Sequence, residues 1–425
     1  VGSVPTNRHA RIGPADPKER IEVTVKLKRQ MEDGLPALQP FVNGERGKSI
    51  TRKELAEKYG ASPSAEKAVR HWAAGQGLTV DKVDLGARQA HLVGSVAAMG
   101  GAFGVKLSVY RHTRTGTTFR CPESDIQIPA SLAEFVTGVF GLNDMPVVVR
   151  RGVRVGRKAP QADLKSQWPG SFYPNEVAKL YDFPPTTGAG QRVAILEFGG
   201  GIDQSVLTAY FTQNIGLHTP PTVNQISVLK MPIKVDPDVT GEVYLDIEVI
   251  GAMAPQAAMD VSFAPWTGEE YLNAIEQAIR KDDYAAISIR YGIDEDVQGA
   301  ARNPGWPPLH QHVDEAFRDT TALGLPLFVS SGDRGSNSVR LQVGGQEVTG
   351  LGKTVAAGYP ASSPYATAVG GTMLYAENGA IEREVVWNEL GPLEQNRWGG
   401  RPQRHRCAKV RVVRTCNKGA VRHEH

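Results

Sequence analysis

The chain has 425 residues, 40% apolar and 22% charged, which excludes a disordered chain and leaves room for two or three domains. No apolar run approaches the ~20 residues that span a bilayer as a helix, and the N-terminal VGSVPTNRHARIGPADPKER lacks the apolar stretch of an export signal. The net charge of +3 is concentrated at one end: residues 401–425 hold eight Lys/Arg against one acid, so the other 400 residues carry 40 basic and 44 acidic side chains and a net charge of −4. That balance removes the support for nucleic-acid binding by the body of the chain.

Taken in order, residues 1–20 are polar and read as a flexible N-terminus. IEVTVKLKR (21–29) alternates as a strand. Residues 49–78 read as two helices, the first capped by Thr51 and stopped by Gly60, the second starting at Ser64. Ala102–Tyr110 and Thr117–Cys121 are predicted strands, and ASLAEFVTGVFGL (130–142) a predicted helix. These elements make one α+β unit over 21–150, followed by a linker at 151–170 without usable periodicity.

A second unit begins near residue 171 and alternates strand with helix. Strands are predicted at 193–198, 225–231, 258–264, 285–291 and 326–331, with helices at 203–213, from 241, at 268–281 and at 308–323. That order predicts parallel strands with crossover helices. The three cysteines, Cys121, Cys407 and Cys416, form neither a disulfide framework nor a zinc spacing, so no metal site is predicted.

Three stretches carry candidate chemistry. In GEVYLDIEVIGAMAP (241–255), Glu242 and Asp246 are four residues apart and share one helix face, with Glu248 turned elsewhere toward solvent and Gly251 permitting close packing. Paired carboxylates repel when both are charged, so such a pair can hold and pass a proton in acid. Taken alone, an E-x-x-x-D is most often an acidic surface stripe. SSGDRGS (330–336) follows an apolar strand and places Asp333 where ligands gather in α/β folds, although a plain Asp turn has the same signature. Glu197 ends the strand VAILEF ahead of a triple glycine that does not match the G-x-G-x-x-G of dinucleotide sites.

Together with YPASSPYATAVGGT (359–372), and in this order behind an α+β unit, these motifs resemble the sedolisin family of serine-carboxyl peptidases over roughly residues 20–400. The resemblance implies a subtilisin-like parallel-sheet catalytic domain, here incomplete over 171–400, preceded by a ferredoxin-like α+β activation pro-domain. It implies that Glu242 is the general base, Asp246 the carboxylate behind it, Asp333 a protonated oxyanion donor, and Glu197 an outer acid. Tyr291 falls where one branch of the family often has Trp. The substrate implied is a polypeptide, or the chain's own pro-domain, met by a monomer acting outside the cell, without nucleic acid or membrane.

The family's Gly-Thr-Ser nucleophile segment and its calcium loop do not occur in the 425 residues. Instead, RPQRHRCAKVRVVRTCNKGAVRHEH (401–425) is Arg-rich and shows neither helical nor strand amphipathicity. The abrupt change of pattern after Gly400 favours an out-of-frame tail over a basic arm, and an inactive chain over an active one. The alternative is a pseudopeptidase that binds peptide or keeps its pro-domain docked, and nucleic-acid binding by the tail is the reading the sequence supports least.

Overall fold

The computed structural model describes residues 9–36, 49–113, 116–145, 172–228, 232–235, 239–265, 267–281, 284–294, 306–332, 341–343, 346–348, 357–386 and 408–413.

The N-terminal unit contains β1 (His9–Pro14), β2 (Arg20–Leu27), α1 (Arg52–Tyr59), α2 (Pro63–Gly75), β3 (Thr79–Asp84), β4 (Gln89–Ser95), α3 (Val96–Ala102), β5 (Leu107–His112), β6 (Thr118–Pro122) and β7 (Val136–Phe140). Four of its strands form an antiparallel sheet in the order β3-β4-β2-β7, the ferredoxin-like arrangement. A smaller antiparallel sheet has the order β1-β5-β6. Thr51 caps α1, its side chain accepting from the Glu54 amide, and Gly60 ends that helix. Ser62, rather than Ser64, caps α2, with Pro63 at the first helical position where its missing N–H costs nothing.

Alternation along β2 sorts its side chains between two neighbours. Val23, Val25 and Leu27 enter the unit's own core beside Val69, Trp72, Leu92, Met99 and Phe103. Thr24 and Lys26 turn the other way, toward Asn273 and Glu276 of one helix of the second unit.

The second unit contains α4 (Pro174–Leu180), β8 (Arg192–Phe198), α5 (Gln204–Ala209), β9 (Val223–Ser227), α6 (Thr240–Met253), β10 (Ala258–Ala264), α7 (Gly268–Arg280), β11 (Ala286–Ile289), β12 (Ile293–Asp294), α8 (Trp306–Leu323), β13 (Leu327–Ser330), β14 (Leu341–Val343), β15 (Gln346–Val348), β16 (Gly358–Tyr359), β17 (Thr367–Glu377), β18 (Ala380–Val386) and β19 (Ala408–Val413). Strands β9, β10, β8, β11, β13 and β17 lie side by side in parallel. Helices cover both faces of this sheet. Ala194, Leu196 and Phe198 of β8 pack with α7 and α8, while Ile195 packs with Val243 and Ile247 of α6. No described helix is long and apolar enough to cross a membrane.

Three further expectations are corrected. The helix expected over 130–142 is a short 3-10 turn at Ala130–Leu132 followed by β7. The N-terminus expected to be flexible contains β1, which pairs with β5 from His9↔His112 to Pro14↔Ser108. The tail expected to lack strand character contains β19, which pairs antiparallel with β17 over Val369–Leu374. Its AKVRVV has the β-branched content that suits a strand, and β17 supplies the ladder.

Candidate active site

The C-terminal ends of β8 and β11 meet the first turns of α6, and β13 lies beside β11. After β8 the chain turns through Gly199 and Gly200, at φ +82° and +85°. A Cβ on Gly200 would lie 3.3 Å from Val239 and from Val243, so the glycine permits α6 to start this close to the strand end. The triple glycine therefore serves packing. Further along, a Cβ on Gly251 would lie 2.4 Å from the Phe211 ring, which bears out the close approach expected there.

On α6, Val243 and Ile247 enter the core and bring Glu242 and Asp246 to one face. Glu242 is buried in the first turn, where the helix dipole favours a negative charge. Asp246 lies one turn on with its side chain 11% exposed. Glu248 is not solvated as expected: it is half-buried, and burial pushes its carboxyl up to about 7.

Arg290 joins the two carboxylates. In β11 and just beyond, Ile287, Ile289 and Tyr291 belong to the core against α7 and α8, so Arg290 leaves the sheet on the α6 side. Its Nη1 donates to Asp246 Oδ1 at 2.8 Å and to the Glu242 main-chain carbonyl at 3.0 Å. Its Nη2 approaches Glu242 Oε2 at 2.6 Å, an ionic contact set off the line of an aligned hydrogen bond. Burial opposes the guanidinium charge, but Asp246, Glu242 and Glu197 outweigh it and raise the Arg290 pKa. The Arg290 carbonyl accepts from Ser330 Oγ at 2.5 Å, tying β11 to β13.

Glu197 lies beneath this group with no solvent exposure. Tyr291 donates its hydroxyl to Glu197 Oε2 at 2.8 Å, while Oε1 has no hydrogen-bond partner among the described residues. Burial first, and then the nearby Asp246 charge, raise the Glu197 pKa well above the ordinary glutamate range. Tyr291 is held in turn, with its ring edge-on to Phe198 at 5.2 Å and its carbonyl accepting from Tyr271 at 3.2 Å.

The structure thus brings together Glu197, Glu242 and Asp246, while Asp333 lies outside the described residues. Just before it, Ser331 donates its amide to Val369 at 2.9 Å, and Gly332 has φ +94°. Sequence reasoning missed Arg290. A charge at the end of an apolar strand reads as a surface residue, and only its two acidic partners, 44 and 48 residues away, show otherwise. Among the described residues no group of three or more His, Cys, Asp or Glu side chains is placed to hold a metal ion.

Residues 7–145 match the family described as Pro-kumamolisin, activation domain. The chain is 37% identical to kumamolisin of Bacillus sp. (strain MN-32) over 401 residues, covering 91% of this chain and 68% of that protein. It is 26% identical to sedolisin of Pseudomonas sp. (strain 101) over 386 residues, covering 87% of this chain and 63% of that one. Against the solved structure of Pseudomonas sedolisin, a serine-carboxyl proteinase complexed with two molecules of pseudo-iodotyrostatin, the TM-score is 0.44 at 28% identity, covering 52% of this chain and 59% of that one. The chain therefore spans about two thirds of the length of these curated relatives.

Proposed function

Because the chain belongs to the sedolisin family of serine-carboxyl peptidases, we propose that it carries the pro-domain and the acidic site residues of a zymogen that cleaves polypeptides in acid. In this reading Glu242 takes the proton of a serine nucleophile and returns it to the leaving amine. Asp246 orients the base, and a protonated Asp333 donates to the oxygen of the tetrahedral intermediate. Glu197 and Tyr291 form the outer part of the hydrogen-bond chain. A glutamate base suits acid, because it is still partly ionised where a histidine is fully protonated. Residues up to about 150 act as the pro-domain, and the protein works as a monomer outside the cell on peptide or on its own pro-domain.

The observation that carries the reading is the convergence of Glu242, Asp246 and Glu197 at the C-terminal ends of β8 and β11, where α/β folds place their chemistry. No Gly-Thr-Ser occurs in the 425 residues, so this polypeptide alone is expected not to turn over protein substrates at about pH 3–5. The same observation favours a second reading, a non-catalytic peptide binder that keeps its pro-domain docked.

A chimera tests the proposal. Residues 1–400 joined to the C-terminal third of the Bacillus relative should hydrolyse peptides in acid, and Glu242→Gln should slow it by about 10²–10⁴-fold. Hydrolysis by the chimera that is indifferent to Glu242→Gln would overturn the assignment. Peptide binding by both the 425-residue chain and a chimera that never turns over would support the second reading.

A further inference from the structure

The counter-ion of the carboxylate pair is a residue that no resemblance assigned. We propose that Arg290 is a positioning residue that keeps Glu242 and Asp246 as a charged pair on one guanidinium and confines the site's stored proton to Glu197 and Tyr291. The inference rests on the reading of Glu242 and Asp246 as base and supporting acid, but its electrostatics can be measured without catalysis.

The geometry carries it. One planar fork engages both carboxylates, through Nη1 at 2.8 Å from Asp246 and Nη2 at 2.6 Å from Glu242. Nη1 also bonds the Glu242 carbonyl at 3.0 Å, which ties the cation to the α6 backbone as well as to the side chains. The Arg290 side chain is only 4% exposed, so water cannot replace either partner cheaply.

The charged and titratable groups facing Arg290 from the described elements are few: Glu242 and Asp246 from α6, Glu197 from β8, and Tyr291 beside it. Ser330 contributes only a neutral hydroxyl from β13. Among the described residues, three acids therefore share one cation. Two are bridged by the guanidinium, and the third, Glu197, meets a tyrosine hydroxyl and no cation at bonding distance among the described residues. A proton placed on Glu242 or Asp246 would break an ion pair to a buried arginine, whereas a proton on Glu197 removes an isolated buried charge. The second arrangement costs less.

Two functional consequences follow. A pair without a cation must share a proton, and its base is partly blocked in acid. With Arg290 between them the base does not wait for that proton, and its carboxylate is held beside a rigid fork through Oε2 rather than by a mobile hydrogen. Proton storage passes to the outer Glu197–Tyr291 contact.

The test is carbon-13 NMR of the whole 425-residue chain labelled at the glutamate carboxyl carbon. The Glu197 and Glu242 signals are assigned by their loss in Glu197→Gln and Glu242→Gln. At about pH 5 the wild-type Glu242 signal should have the shift of a carboxylate and Glu197 that of a protonated acid. In Arg290→Gln, with labelled aspartate added, the pair should gain one proton at the same pH, and Arg290→Lys should restore much of the wild-type pattern. A protonated Glu242 or an ionised Glu197 in the wild type overturns the proposal, as does a folded Arg290→Gln chain whose pair gains no proton. Should Arg290→Gln not fold, the two wild-type signals decide alone.

Discussion

Lys26 of β2 and Glu276 of α7 form an ion pair whose side chains are 0% and 1% exposed, and the pair joins the N-terminal unit to the α/β unit. Its two partners are perturbed unequally. Burial lowers Lys26 to about 8 despite the opposing pull of Glu276. Burial would raise Glu276, but Lys26, Arg280 and Arg88 together bring it down to about 2. The asymmetry has a plain cause, since the two arginines help the acid and oppose the lysine. Glu276→Gln should therefore cost about 3–5 kcal/mol, because it strands buried cations. The double change Lys26→Met with Glu276→Leu should cost much less. Urea unfolding of the full chain measures both, and equal losses for the two would contradict this account.

Stability should peak in mild acid. Glu269 is raised to about 8 by burial and by Glu270, and Glu270 to about 7 by burial and by Glu22. A raised carboxyl contributes stability that is present below its unfolded value of about 4.3 and is lost as pH rises through the folded value. Burial lowers His310 and His312 to about 4 each. These imidazoles work the other way, with stability lost as pH falls from about 6.5 toward 4. Between about pH 4.5 and 6.5 the histidines offset only part of the loss, because Glu248, raised to about 7, and the buried Glu197 act in the same direction as Glu269 and Glu270. Above that window the raised carboxyls are unopposed by the histidines and stability falls further toward pH 8. Below it Glu276 protonates as pH falls toward 2. The melting temperature should be highest near about pH 4–5, and a steady rise from pH 5 to 8 would count against it.

Gly251→Ala should destabilise the protein even though alanine favours helix. The substitution gains up to about 1 kcal/mol of helix propensity. It also forces a methyl to 2.4 Å from Phe211 Cζ and 2.7 Å from Cε1, and overpacking of this kind costs about 1–3 kcal/mol. Pairing the change with Phe211→Leu should recover part of the loss. A chain stabilised by Gly251→Ala would show that the contact between α6 and Phe211 yields readily.

Much of the second unit was legible in the sequence because its strands are short apolar runs between helical patterns, and β8, β10, β11 and β13 lie close to where those runs fall. The four-residue spacing of Glu242 and Asp246 gave their common face. Reading failed where neighbours decide. In residues 130–142 the apolar spacing fits a helix, but Gly138 must pass close to His312 and Gly141 sits at φ +99° against Glu269. Those approaches, with the ladder between β7 and β2, select a strand. Arg290 was hidden for a related reason, since its acidic partners are distant in sequence and its burial exists only once α6 covers the sheet.

The N-terminal unit should fold without the rest. Its core is its own, with Val23, Val25, Leu27, Val69, Trp72, Leu92, Met99 and Phe103 in one cluster. The sheet face that meets α7 and α8 presents Thr24, Lys26, Gln89 and His91, and polar side chains of this kind lose little when water replaces the helices. Isolation even removes a cost, because Lys26 is no longer buried. The length of about 140 residues is ample for one core. β1 belongs to the unit, since it pairs with β5 and starts at His9. A fragment of residues 7–145 should therefore melt cooperatively in urea, followed by the fluorescence of Trp72, which lies 5.3 Å from the Phe103 ring in that core. A shorter fragment starting at residue 20 loses β1 and should be less stable. A 7–145 fragment that shows no cooperative transition would mean that α7 and α8 supply part of its core.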